Sequence, residues 1–147
     1  MKNLILILAL AVSGVGCVTR SGVFPSEVSF EWFNLSTNEI WVVQVVGLPE
    51  EASCGRLVPT QSEDSLKRAT STFLDAVRIK NQLTIIWKEK LKEPFTFNPG
   101  EIAPKQGIMH SVELKRDDLG IPSRMTRGKI RFTYLGNDKW RIKLLKS

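Results

Sequence analysis

The chain of 147 residues is poor in the residue types on which most catalytic and metal sites depend. It contains one His, two Cys and one Tyr. A closed zinc site needs four nitrogen or sulfur ligands, so the sequence predicts no metal site and no cofactor. No Ser stands three residues before a Lys, and no Gly-x-Ser-x-Gly run occurs, so two common serine-nucleophile patterns are missing. We therefore expect a protein that is not an enzyme.

Cys54 and His110 are the one remaining pair with the chemistry of a nucleophile and a base. No known nucleophile motif surrounds Cys54, so we predict a buried, inert thiol there and an ordinary loop or strand residue at His110. A disulfide between Cys17 and Cys54 is the alternative, and it requires an unmodified Cys17.

Long hydrophobic runs are missing as well. The longest, LILILALAV at residues 4–12, has nine residues, whereas a bilayer-spanning helix needs about 20. It follows Lys2 and precedes the small residues 13–16, which is the pattern of a secretory signal. We expect residues 1–16 to be a signal peptide, residues 17–27 a tether rich in small and polar residues, and residues 28–147 a single domain.

The end of this signal, Gly14-Val15-Gly16-Cys17, resembles the lipobox of bacterial lipoproteins. The resemblance implies that a diacylglycerol is attached to Cys17, with cleavage just before it, and such a multi-chain anchor holds a protein stably on a membrane. Gly14 departs from the pattern, which usually has Leu, Val or Ile there, and an ordinary secretory signal is the alternative. The residue directly after Cys17 is Val18 and not Asp. By the same resemblance, this implies a protein of the outer membrane that faces the periplasm. Export also makes nucleic acid an unexpected partner.

Apolar residues alternate with polar ones through most of the mature chain, which predicts an all-β domain. We expect a single antiparallel β-sandwich or small barrel of about seven or eight strands. Residues 28–32 and 40–46 are predicted to pair as a hairpin, and all four Trp are predicted to fill the core. The last hairpin is predicted to put six apolar residues on one face: Ile130, Phe132, Tyr134, Trp140, Ile142 and Leu144.

Positive charge is concentrated at the end of the chain. Residues 115–147 contain ten basic and three acidic side chains, whereas residues 17–114 contain ten basic and twelve acidic ones. Such asymmetry indicates an anionic partner, or a charged strand face that prevents edge pairing. Arg131, Arg141 and Lys143 fall opposite the apolar face of the last hairpin and are the predicted anion- or partner-binding residues. Three more basic residues precede them: Arg124, Arg127 and Lys129.

Several segments of residues 28–90 are similar to small bacterial lipoproteins with no assigned activity. The similar segments are residues 34–42, 46–48, 54–55 and 83–87. The resemblance implies a sandwich-like exported domain and no site residues. Together these observations predict a non-enzymatic envelope lipoprotein that binds another envelope protein or an anionic envelope component. The alternative is an immunity or inhibitor lipoprotein that blocks a toxin or cell-wall hydrolase through the loops at residues 59–71 and 99–109.

Overall fold

The computed structural model describes residues 26–91 and 94–145, and this part of the chain is all-β. The predicted signal peptide, Cys17 and most of the tether therefore lie outside the described residues. Two 3-10 turns, Glu50–Ala52 and Asp117–Leu119, accompany ten strands, of which two have only two residues. The strands are β1 (Val28–Asn34), β2 (Ile40–Val46), β3 (Gly55–Leu57), β4 (Ala69–Phe73), β5 (Val77–Arg78), β6 (Gln82–Glu89), β7 (Ile108–Lys115), β8 (Arg124–Met125), β9 (Gly128–Gly136) and β10 (Lys139–Leu145).

The strands form two four-stranded sheets and one two-stranded ladder. One sheet has the order β10-β9-β1-β4, the other has the order β3-β2-β6-β7, and β5 pairs with β8. β1 runs parallel to β9, with Val28 opposite Gly128 and Trp32 opposite Phe132. We expected a wholly antiparallel domain, and this pair departs from that expectation. The first strand lies beside a strand that begins 100 residues later and runs in the same direction.

The predicted hairpin of β1 and β2 is wrong, since the two strands belong to different sheets. The buried Asn34 side chain explains the crossing. Its Nδ2 donates to the carbonyls of Asn38 (2.7 Å) and Leu57 (3.1 Å), and its Oδ1 accepts from the backbone N–H of Ser36 (3.0 Å). These bonds satisfy the backbone of a turn that leads the chain from one sheet to the other.

Apolar side chains from both four-stranded sheets meet in one hydrophobic core. Trp87 of β6 lies 5.6 Å from Tyr134 and 5.4 Å from Trp140 of the other sheet, measured between ring centroids. Trp32 is fully buried, and its Nε1 donates to the Ala52 carbonyl at 2.9 Å. Trp41 differs from the prediction. It lies level with Arg56 and Lys88 on the outer side of its sheet, where it contacts Phe97.

The predicted register of the last hairpin is confirmed. Trp140 lies opposite Tyr134, and Leu144 lies opposite Ile130, so the apolar residues of both strands share the core face. Because side chains alternate along a strand, Arg131, Arg141 and Lys143 share the other face of the same sheet. This outer face of β10-β9-β1-β4 is the surface on which the predicted site residues lie.

Candidate functional site

The charged cluster lies on the outer face of the β10-β9-β1-β4 sheet. Lys143 of β10 lies opposite Arg131 of β9, and Arg131 lies opposite Glu31 of β1. Arg141 lies opposite Thr133 in the neighbouring row. The structure thus brings the three predicted residues together and adds a carboxylate from a strand some 100 residues earlier.

Glu31 is almost fully enclosed, with 2% of its side chain exposed. Lys129 Nζ lies 2.7 Å from Glu31 Oε1, and Arg131 donates through Nε and Nη2 to Oε2 at 3.1 and 3.0 Å. Burial on its own would raise the pKa of Glu31, but the hydrogen bonds from Lys129 and Arg131 outweigh it and lower the pKa. Glu31 is therefore a buried anion that holds two of the basic residues in place.

Glu63 supplies a second carboxylate from the segment between β3 and β4. Its Oε1 accepts from Thr133 Oγ1 at 2.6 Å and from Arg141 Nη2 at 2.7 Å, and its Oε2 accepts from Arg131 Nη1 at 3.1 Å. Burial would raise its pKa, but these three donors lower the pKa from 4.5 to about 2. These ion pairs fix the segment around Glu63 over the sheet. Only 15% of the Glu63 side chain remains exposed.

Arg131 lies at the centre of this network, and its guanidinium donors are already bonded within it. Its guanidinium bonds both carboxylates, and Cζ lies 5.1 Å from the ring centroid of Phe33, which is fully buried on the same face. Flat guanidinium groups favour such two-sided contacts with carboxylates and aromatic rings. The predicted role of Arg131 in binding a partner would require breaking bonds that order the sheet.

Arg141 and Lys143 remain accessible. Arg141 has 41% of its side chain exposed and one carboxylate partner, and Lys143 is exposed and has no carboxylate within 4.0 Å in the described part of the chain. Arg68 adds a further exposed guanidinium 3.9 Å from Glu31 Oε1. Glu31 and Glu63 thus pair four of the five basic groups, and the remaining positive charge lies on β10, at Lys143 and the exposed part of Arg141.

The sequence alone did not indicate the two carboxylates. Glu63-Asp64 has the composition of a solvated loop, and Glu31 has the position of an outward strand residue. The available signal is Phe33, a large apolar residue two positions after Glu31 and so on the same outward face, because an apolar residue there predicts a cover over that face.

The conceivable Cys54–His110 dyad is not assembled. Gly55, Val42, Trp87 and His110 lie in one row across the sheet, from its β3 edge to its β7 edge. Three strand spacings separate the ends of that row, which is about 14 Å. Burial raises the pKa of the Cys54 thiol well above its usual value, so the reactive thiolate is disfavoured.

His110 has a different partner. Its Nδ1 lies 2.7 Å from Asp138 Oδ1 in the β9–β10 turn, and its ring stacks on Trp87 with centroids 5.4 Å apart. Asp138 has φ 58°, a left-handed conformation that its side chain tolerates in a tight turn. This pair ties the edge of one sheet to a turn of the other, which is a structural arrangement.

Among residues 26–91 and 94–145, no group of three or more His, Cys, Asp or Glu side chains is placed to hold a metal ion. Nor does any helix in these ranges have the length and apolar character to cross a membrane. Comparison with family models, with curated proteins and with solved structures gave no match.

Proposed function

We propose that this chain is a non-enzymatic lipoprotein of the bacterial envelope, anchored by acyl chains on Cys17. The apolar run of residues 4–12 and the lipobox-like residues 14–17 support export and acylation. Val18 supports a place on the outer membrane, facing the periplasm. The domain of residues 28–147 begins close behind a tether of eleven residues, so it would work near the membrane surface.

The two four-stranded sheets, in this proposal, pack face to face as a β-sandwich. The contact of Trp87 with Tyr134 and Trp140 supports this arrangement, since it joins β6 of one sheet to β9 and β10 of the other. Packed sheets leave their outer faces free for partners, and one of these faces carries the charged cluster.

The partner, we propose, is an anionic envelope component or an acidic envelope protein that contacts Arg141 and Lys143. The observation that carries this proposal is the excess of basic groups at the β10 edge after Glu31 and Glu63 are paired. Arg131 positions Arg141 indirectly, because both bond Glu63. An anion would add a contact to Arg141 without displacing Arg131.

Binding of purified full chain to lipopolysaccharide, whose phosphates serve as the anionic probe, tests this face. Arg141→Ser with Lys143→Ser should weaken binding and reduce its salt dependence, because two cations are removed from the contact. Lys105→Ser with Lys115→Ser removes the same charge from exposed positions outside this sheet and should leave binding unchanged. Equal binding by both variants would contradict the assignment. Intact mass of the mature protein tests the anchor separately, since an unmodified Cys17 would remove it.

An immunity or inhibitor lipoprotein is the second candidate. Two loops expose large apolar side chains at their tips, with Leu66 91% exposed and Ile102 73% exposed. An inhibitor that inserts a loop into a toxin or cell-wall hydrolase would use such a residue, and the base of the first loop is fixed by Glu63. Leu66→Ser would then abolish complex formation without changing stability, which a pull-down from solubilised envelopes can measure.

A further inference from the structure

Four basic side chains lie at the end of the domain where the tether enters. The backbone N–H of Gly128 donates to the carbonyl of Glu27 at 3.0 Å, so the chain arrives beside Arg127. In the adjacent β5–β8 ladder, Arg78 lies directly opposite Arg124. Lys80 is two residues beyond Arg78. We call these four residues, Arg78, Lys80, Arg124 and Arg127, the tether-end basic group.

The placement of these charges is unfavourable for the isolated domain. Like charges directly opposite in a ladder repel each other. All four side chains are exposed, and within the described ranges none has a carboxylate oxygen within 4.0 Å. Lys129 provides the contrast, because it lies one residue beyond Gly128 and is bonded to Glu31 at 2.7 Å. The group is therefore available to an external anion.

The tether connects this end of the domain directly to the proposed anchor. Residues 17–27 contain Arg20 and Glu27, so the tether itself adds no net charge to the tether-end basic group. An extended chain spans at most about 3.5 Å per residue, so an anchor at Cys17 keeps Val28 within about 40 Å of the bilayer. Such a short connection gives any surface next to the tether a high effective concentration at the membrane. Leu74, 68% exposed and next to the β4 residue that pairs with Val28, adds an apolar contact at the same end.

We infer that the tether-end basic group docks on the anionic phospholipid head groups of the bilayer that holds the acyl chains. This inference rests on the proposed acylation of Cys17. Each basic side chain near an anionic bilayer strengthens attachment about fivefold, so the four together fix the orientation of the domain. The tether end then faces the membrane, and the β9–β10 turn at the other end of those strands faces away from it.

Arginine footprinting of the mature acylated protein on vesicles tests the inference. The protein is reconstituted into phosphatidylcholine vesicles with and without phosphatidylglycerol, treated with phenylglyoxal, and digested for mass spectrometry. Arg78, Arg124 and Arg127 should react severalfold more slowly when phosphatidylglycerol is present, and high salt should remove the difference. Arg56, which lies on β3 and pairs with Glu39, serves as the internal control and should not change.

A variant separates membrane contact from other causes of protection. In Arg124→Gln with Arg127→Gln, Arg78 should return to the reactivity seen on phosphatidylcholine alone, because about a twenty-five-fold weakening is expected for two charges. The matched pair Lys105→Gln with Lys139→Gln should keep Arg78 protected. If the three Arg side chains react equally fast on vesicles with and without phosphatidylglycerol, the inference is overturned. That result would not contradict the proposed acyl anchor. A mature protein without acyl chains would instead overturn the proposed function.

Discussion

The ion network around Glu63 makes a prediction about stability that can be worked from the structure. Glu63→Gln keeps the size of the side chain and removes its charge. A Gln oxygen can still accept from Thr133 or Arg141, but its amide would face the Nη1 donor of Arg131, now 3.1 Å from Glu63 Oε2. The variant therefore loses the charge and places two donors against each other.

The size of the loss follows from the pKa of Glu63, which falls from 4.5 to about 2 on folding. A shift of this size corresponds to at most about 3 kcal/mol. Arg141 is 41% exposed, so solvent screens part of that interaction. We expect Glu63→Gln to lower the free energy of unfolding by about 2 kcal/mol at neutral pH.

The pH dependence has a definite sign. Because the folded pKa of Glu63 lies below its unfolded value, the contribution is complete above pH 4.5 and is lost as the pH falls towards 2. The stability difference between the parent chain and Glu63→Gln should therefore shrink over that window. Glu31, whose pKa is also lowered, remains in both proteins and contributes equally to the acid sensitivity of each.

Urea unfolding followed by Trp fluorescence, at several pH values, measures this difference. Glu113→Gln is the matched control, because Glu113 is an exposed carboxylate on β7. That control should change the free energy of unfolding by less than about 0.5 kcal/mol. A Glu63→Gln variant as stable as the control at neutral pH would refute the argument that the network stabilises the fold.

Three further predictions concern the turn, a crowded glycine and the thiol. Asn34→Ala should lower stability by about 2 kcal/mol in a denaturant titration, because the buried Leu57 carbonyl loses a donor and the turn loses the bonds that Asn34 makes to Asn38 and Ser36. Gly47→Ala should lower the free energy of unfolding by roughly 2 kcal/mol or more in thermal unfolding, because φ is +97° and the new Cβ would lie 2.6 Å from the Gln82 carbonyl oxygen. Gly100→Ala is the control. It has a similar φ of +81° but nothing within 4 Å of the new Cβ, so it should lower stability less. Cys54 should resist iodoacetamide in the folded protein at pH 8 and react after denaturation, as measured on its peptide; rapid labelling of the folded chain would contradict the raised thiol pKa.

The sequence predicted which segments form strands, and which of their side chains point to the core, wherever one face of a strand is apolar. β6 alternates as predicted, with Leu83, Ile85 and Trp87 buried. The register of β9 and β10 also followed from pattern, because a slip by one residue would move every apolar side chain to the outer face. Export and acylation at Cys17 were predicted from sequence as well, and they remain predictions.

Only the tertiary structure decided which strands are neighbours and which charges are paired. β1 leaves β2 because Asn34 satisfies a crossing turn and because β9, far along the chain, offers a complementary parallel edge. Glu63 reaches Arg131 and Arg141 across separations of 68 and 78 residues. Local patterning carries no information on such pairings, since they depend on how the loop folds back over the sheet. That contact pairs Arg131 and Arg141 with Glu63, so of the three predicted residues only Lys143 lacks a carboxylate partner among the described residues.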